Sequence, residues 1–439
     1  MESKNIKIGT YALLSNVSIT LFSFIGFLII IRSFSKEQFG VWALFLAVTS
    51  FVEMTRMGFI YHGIVKYSTE NEDQRPVIFT TGLVLNALIS AILALFLFLL
   101  SDILVNHWNT PEIVALINYY GLFLMINGIT KYLEYHLISN QDFKAIFYSN
   151  VFYGICYAGL LLVMFILNKL IYLEQIVMIQ SGAAALTLIF LTYIRRKFFK
   201  VGNFSFHWIK KLFHYGKYVF GTNLSSMLLQ KTDILMIGFF INPAAMALYN
   251  IATRFTNYIE MPMKAISQIV FPKIVSTFNR EGKAKVGTIF EKSVGLLLIL
   301  VIPPSLLLLI FAKPVLVFVA GEQYGSSALI LQILLIYSFI KPWGRVIGLS
   351  LDAIGKPNVN FLMLLVGLSI NIILNYFLIQ SMGVIGAATA TVITILISTS
   401  LSLFLLSKIL TFSLIQPFYF SWNYVKEGLR ILKFKLSYN

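Results

Sequence analysis

Long apolar runs alternate with short polar segments along most of the chain, and two of them, over 83–100 and 293–310, contain no charged residue. A helix that crosses a bilayer needs about 20 mainly apolar residues. The pattern predicts twelve such helices, over 11–31, 40–60, 77–100, 113–134, 146–167, 171–194, 214–240, 245–270, 286–311, 326–353, 358–379 and 383–407. The first has no small-residue cleavage site behind it and reads as a retained span rather than a removed leader. The longest intervening segments, near 61–76, 195–213 and 271–285, are too short to build a core of their own. No soluble catalytic or nucleotide-binding domain fits between the spans.

Basic residues orient this map, because Lys and Arg favour the cytoplasmic side. Twenty-two of them fall in alternate loops and at the two ends, and only Arg32, Lys36, Lys169 and Lys313 in the remaining loops. Both termini are therefore expected in the cytoplasm, and an odd number of spans would scramble the asymmetry. The most basic loop, 195–211, divides the spans six and six. That predicts two lobes in the same orientation, related by a pseudo-two-fold axis along the membrane normal. A shift of 207 residues pairs Asn16 with Asn223, Trp42 with Tyr249 and Glu53 with Glu260 without a gap. The expected organisation is one lobe over 1–205, a second over 206–410, and a basic amphipathic tail over 411–439 on the anionic inner leaflet.

Composition agrees with an all-α polytopic membrane protein. Of the residues 58% are apolar and 12% charged, against roughly 45–50% and about 25% in soluble domains. The net charge of +16 would suit nucleic acid only with a soluble basic face, which this distribution does not provide. The single cysteine, Cys156, excludes an internal disulfide and a thiolate metal cluster. None of the Gly-Lys pairs that begin at 216, 282 and 355 is followed by Ser or Thr, so there is no Walker A phosphate loop. The five histidines are scattered and no zinc motif occurs, so neither a metal nor an organic cofactor is expected.

Ionisable residues inside the spans carry the functional information, since a charge at the bilayer centre is costly and normally faces protein or a water-filled cavity. They cluster as Glu53 with Arg56, Lys231 with Asp233, Arg254 with Glu260 and Lys264, and Lys341 with Arg345 and Asp352. At about 100° per residue the last three share one helical stripe, which is expected to face a cavity. Lys231, Arg254 and Lys341 fall near mid-membrane by their distance from the outer helix ends. Cations outnumber acids six to four in this set. The natural complement is an anion, and Arg and Lys can hold a phosphate or pyrophosphate by charge-assisted hydrogen bonds.

On this reading Arg56, Lys231, Arg254, Lys264, Lys341 and Arg345 bind substrate. Glu53, Asp233, Glu260 and Asp352 pair with those cations or bind a coupling proton or sodium ion. Glu53 and Arg56, three residues apart, equally fit a structural ion pair, and Lys131 with Glu134 reads as a helix-end pair that snorkels. Tyr249, Tyr258 and Tyr337 are candidates for stacking on sugar. Pro262, Pro303, Pro304 and Pro342 lie within spans of the second lobe and can kink them. A bend at Pro342 would move the Lys341 stripe, as alternating access requires.

The six-plus-six pattern is joined by several local ones. These are the opening segment Gly9 to Arg32 leading into Ser35-Lys-Glu-Gln-Phe-Gly40-Val-Trp, the Lys231-Thr-Asp233 element, the Ala353-Ile-Gly-Lys-Pro357 turn, and Met382-Gly-Val-Ile-Gly-Ala-Ala-Thr. Together they resemble polysaccharide-biosynthesis flippases of the Wzx type, within the multidrug/oligosaccharidyl-lipid/polysaccharide exporter (MOP) superfamily. The resemblance covers about 1–408 and implies a MATE-like fold. It also implies transfer of an undecaprenyl-pyrophosphate-linked oligosaccharide from the inner to the outer leaflet of the bacterial plasma membrane, for O-antigen, capsule or exopolysaccharide assembly. Membrane lipids, a polysaccharide polymerase and chain-length machinery would be the partners. A multidrug and toxin exporter of the same superfamily would carry a more acidic cavity, and a peptidoglycan-precursor flippase additional spans. A membrane enzyme would need an intramembrane His or a large outer loop.

Overall fold

The computed structural model describes the backbone of residues 2–108 and 110–436; the side chains of Asn223, Lys433 and Lys435 are among those outside the described residues. The chain is helical almost throughout. The helices are α1 Glu2–Ser33, α2 Lys36–Glu70, α3 Arg75–Trp108, α4 Glu112–Ser139, α5 Phe143–Ile166, α6 Glu174–Arg195, α7 Phe206–Phe240, α8 Pro243–Glu281, α9 Lys283–Ala320, α10 Ser327–Ser338, α11 Lys341–Ala353, α12 Pro357–Met382, α13 Val384–Ser407 and α14 Gln416–Leu436. Several starts are encoded locally. Ser35 and Gln38 form a reciprocal capping box at α2. Asp142 caps α5 at the Ala145 N–H, and Asn242 caps α8 just ahead of Pro243. Gly383, at φ 62°, makes the turn from α12 to α13 in a conformation that side-chain-bearing residues avoid.

Of the three segments expected as loops, two are largely helix and the third is helical over its second part. α2 runs on to Glu70, α8 to Glu281, and α7 begins at Phe206. Polar residues there propagate a helix as well as apolar ones do, so hydropathy marks the membrane boundary rather than the helix end. Among the described residues nine helices are long and apolar enough to cross a membrane, or ten with the bent pair α10–α11 taken as one span. The twelve expected spans are reached only if α7 and α8, of 35 and 39 residues, are included with their charges.

Contacts divide the chain into Met1–Met227 and Leu228–Asn439. The division falls inside α7, beyond the basic loop, because Trp208 and Leu212 are buried with Ile60, Ile64, Ile78, Tyr132 and Leu191 in the core of the first unit. In that unit α1 packs on α5, α3 on α4, and α4 on α2 and α6. In the second, α8 packs on α9, α10 and α11, α12 on α13, and α14 on α9.

Two helices of the second unit deviate from straightness. α9 keeps helical geometry through Pro303 and Pro304 but leaves it at Phe311 (φ −102°, ψ 22°), three residues before Pro314. A proline ring clashes with the carbonyl four residues back, so the kink belongs to Pro314 and not to the earlier pair. The expected single helix over 326–353 is two, α10 and α11, bent by 45° at Phe339–Ile340. Pro342 sits in the first turn of α11, where its missing N–H has no helical partner to lose.

Candidate functional site

In the first unit Glu53 and Arg56 pair within one turn of α2, Nη2 to Oε2 at 2.5 Å, and the Arg56 side chain is 1% exposed. Arg56 Nη1 donates to Asn86 Oδ1 of α3 at 3.3 Å and to the Gly128 carbonyl of α4 at 3.4 Å. Glu53 Oε1 accepts from Tyr120 and Asn127 of α4 at 3.5 and 3.4 Å. A guanidinium enclosed in this way has no open side for a ligand, so of the two expectations for Arg56 the structure holds the structural pair. Lys131 and Glu134 also differ from expectation. Glu134 is buried, accepts from Lys131 at 2.7 Å and from Ser149 of α5 at 2.9 Å, and Lys131 reaches Asn150, which donates to Ser15 of α1 at 2.7 Å. These two networks tie α1 to α5 together through polar groups that could not be buried singly.

In the second unit α11 lies along α8 with its cations on the contact. Lys341 pairs with Glu260, the two side chains 34% and 8% exposed. One turn further on, Arg345 Nε donates to Ser267 Oγ at 2.8 Å. Lys341 Nζ also stands 4.8 Å from the Tyr337 ring centroid, and the Tyr337 hydroxyl contacts Thr256 Oγ1 at 3.0 Å and Glu260 Oε1 at 3.4 Å. Arg345 is exposed, and so is Lys264 on α8. This is the open cationic face of the unit: two α11 cations positioned by α8, with the Arg345 Nη pair turned to no partner among the described residues. Asp352 does not join it. It lies about 16 Å along the axis from Lys341 and accepts from Asn360 of α12 at 3.0 Å. Lys231 and Arg254 are half-buried on α7 and α8, within electrostatic range of each other.

Asp233 sits in a cage that holds no cation among the described residues. Its Oδ1 accepts from Asn371 and Asn375 of α12 at 3.0 and 2.6 Å, and its Oδ2 from Tyr249 of α8 and Thr391 of α13, each at 2.6 Å. Asn375 also donates to Asn371 Oδ1 at 3.0 Å, and its own buried Oδ1 has no hydrogen-bond partner among the described residues. Tyr249 and Tyr337 are therefore buried and engaged, and do not offer faces for sugar stacking. The cage went unseen because its members are spread over four helices. Its one local signal was Asn371 and Asn375, four apart in an otherwise apolar run.

The 207-residue shift extends to these contacts. Thr49 maps onto Thr256 as Glu53 maps onto Glu260. Each glutamate is met by a tyrosine from another helix that also touches the threonine, Tyr120 at the Thr49 carbonyl and Tyr337 at the Thr256 hydroxyl. The units differ in where the cation comes from. Arg56 comes from the same helix as Glu53, whereas the shifted position is Met263 and Lys341 comes from α11.

A chain of long apolar helices with polar networks buried between them defines a multi-pass membrane protein. Solved structures share its fold. The lipid II flippase MurJ in an inward closed conformation gives a TM-score of 0.74 at 16% identity, covering 94% of this chain and 90% of that one. An inward-facing multidrug resistance MATE family transporter of the MOP superfamily gives 0.73 at 14% identity, covering 89% and 94%. Residues 29–329 match the family described as polysaccharide biosynthesis protein, and the chain belongs to that family. Among relatives, the lipopolysaccharide biosynthesis protein WzxC of Escherichia coli is 21% identical over 428 residues, 93% of this chain and 82% of its own length. The probable low-salt glycan biosynthesis flippase Agl15 of Haloferax volcanii is 26% identical over 204 residues, 46% of this chain. The match spans less than half of that relative, 43% of its length. The expected MATE-like fold is upheld, and the matched family is one of polysaccharide biosynthesis, as the resemblance implied.

Proposed function

We propose that this protein is a flippase that moves an undecaprenyl-pyrophosphate-linked oligosaccharide from the cytoplasmic to the outer leaflet of the bacterial plasma membrane by alternating access, with both termini cytoplasmic. The observation that carries this is the α11 stripe. Lys341 and Arg345 are held in register by Glu260 and Ser267, yet Lys341 is only half-buried and Arg345 is exposed. A bidentate Arg and a neighbouring ammonium suit a pyrophosphate, and Lys264 adds a third cation on the same helix contact. The 45° break just ahead of Lys341 gives the stripe a joint about which to move. Membership of a polysaccharide biosynthesis family supports the sugar-linked cargo. A polymerase and chain-length machinery would take the product.

Coupling to an ion gradient belongs on this reading to Asp233. One carboxylate among neutral oxygens, with the Asn375 carbonyl oxygen unpartnered and both amides able to turn their oxygens inward, suits a sodium ion or a proton. Among the described residues no three His, Cys, Asp or Glu side chains converge, so the donor set lacks the charge that a divalent ion would favour. Asp233, Asn371, Asn375 and Thr391 would hold the ion, which supplies the driving force.

The test is gene deletion in the host with a leaflet-resolved assay of the lipid-linked glycan pool. Cytoplasmic-side accumulation and loss of surface glycan, restored by wild type and not by Arg345→Ala, is the expected result. An unchanged pool with raised sensitivity to cationic drugs overturns it in favour of a multidrug exporter.

A further inference from the structure

The segment after α13 does not leave the second unit. A Cβ on Gly287 of α9 would collide with the Thr411 carbonyl, and one on Gly295 would stand 2.7 Å from that of Pro417. The two glycines, eight residues apart on α9, therefore form a seat into which the backbone of 411–417 drops. Between them Glu291 accepts the Ser413 N–H at 2.6 Å, and the Ser421 hydroxyl donates to the Gly295 carbonyl at 2.8 Å. Phe412 packs against Phe290 with ring centroids 4.8 Å apart. The tail is thus a fixed element over its first part, and α14 turns one face to α9.

Its other face is bare and aromatic. Phe418, Tyr419 and Trp422 are 53%, 60% and 58% exposed. With Val425 they fall within about 120° of the helix circumference. Cations rim them: Lys426 stands 5.3 Å from the Trp422 ring centroid, and Arg430 follows one turn on. The single acid of α14, Glu427, falls on the side away from this face. Aromatic rings edged by cations match the headgroup layer of a bilayer, where rings sit among the glycerol groups and ammonium or guanidinium groups meet phosphate.

We infer that α14 docks this face onto anionic phospholipid headgroups. Because the Phe418 ring lies 5.5 Å from Trp343, the docked helix touches α11, the helix that carries Lys341 and Arg345. The docking does not depend on what the protein transports, so it stands or falls apart from the flippase reading.

A nitroxide at Val425→Cys in a Cys156→Ser background, which removes the chain's one cysteine, tests this with the full chain in nanodiscs. The probes are phosphatidylcholine alone, and phosphatidylcholine with phosphatidylglycerol. In anionic discs collisions with oxygen should dominate over those with a water-soluble nickel chelate, and in neutral discs the preference should weaken. Each cation near an anionic surface is worth about fivefold in surface partition. Lys426→Gln with Arg430→Gln should therefore shift the docked-to-undocked ratio about thirtyfold toward undocked in anionic discs. The same collision ratio in both lipids, or a double variant that keeps the wild-type ratio, overturns the inference.

Discussion

Removing the Asp233 carboxylate separates its structural part from its ion-binding part. The carboxylate accepts four hydrogen bonds, from Asn371, Asn375, Tyr249 and Thr391, and each bond to a charged group contributes about 1.5–3 kcal/mol. Asp233→Ala does not lose the whole sum, because its donors have each other: Tyr249 and Thr391 hydroxyls lie 3.1 Å apart, and Asn375 already donates to Asn371. The expected cost is about 2–4 kcal/mol, the penalty of leaving one or two buried donors unmet. Asp233→Asn keeps the shape, with a carbonyl oxygen for the two amides and an amide for the two hydroxyls, and should cost under about 1 kcal/mol. Thermal unfolding of the purified protein in detergent, with and without sodium, reads both quantities. Sodium at about 100 times its dissociation constant stabilises a folded protein by about 2.7 kcal/mol. That increment should be present in wild type and absent in Asp233→Asn. An Asn variant that keeps the full sodium response refutes the placement of the ion, and an Ala variant as stable as wild type refutes the hydrogen-bond reasoning.

Other outcomes follow from the same contacts. Lys341→Ala and Arg345→Ala should each abolish surface glycan while the protein stays in the membrane at normal abundance, and normal glycan in both would break the assignment of the stripe. Arg56→Met should destabilise the first unit by about 3–5 kcal/mol because it leaves Glu53 without its cation, and adding Glu53→Gln should recover most of that; a single variant as stable as wild type in thermal unfolding would show the pair to be dispensable. Gly287→Val should unseat the tail, seen as roughly tenfold faster trypsin cleavage at Lys426, since the added carbons collide with the Thr411 backbone. Unchanged proteolysis would mean the seat does not hold the tail.

The helical fold was legible because charge-free runs leave a backbone no alternative in lipid, and the break before Lys341 was legible in Pro342. Lys341 and Arg345, four apart, were rightly placed on one stripe, and spacing alone gives that much. Spacing does not say how far a stripe runs before its neighbour ends, which is why Asp352 belongs to Asn360 instead. Nor does it say which way a satisfied pair faces. Glu53 and Arg56 looked the same from the sequence whether lining a cavity or, as here, enclosed by Asn86, Tyr120 and Gly128. Buried networks such as Glu134 with Ser149, Asn150 and Ser15 join residues up to 135 positions apart, a separation at which local pattern carries no information.

The different sources of the cation beside Glu53 and Glu260 give the two halves unlike mechanical properties. Arg56 and its glutamate are one helical turn apart on the same rod, so no tilt or slide of that rod can part them, and the pair travels as ballast. Lys341 reaches its glutamate across a helix boundary, one residue beyond a bend. Any swing of α11 must stretch or break that contact, and returning α11 must remake it. A duplicated arrangement has thus become, in one copy, a rivet and, in the other, a latch whose closure registers the position of a moving part.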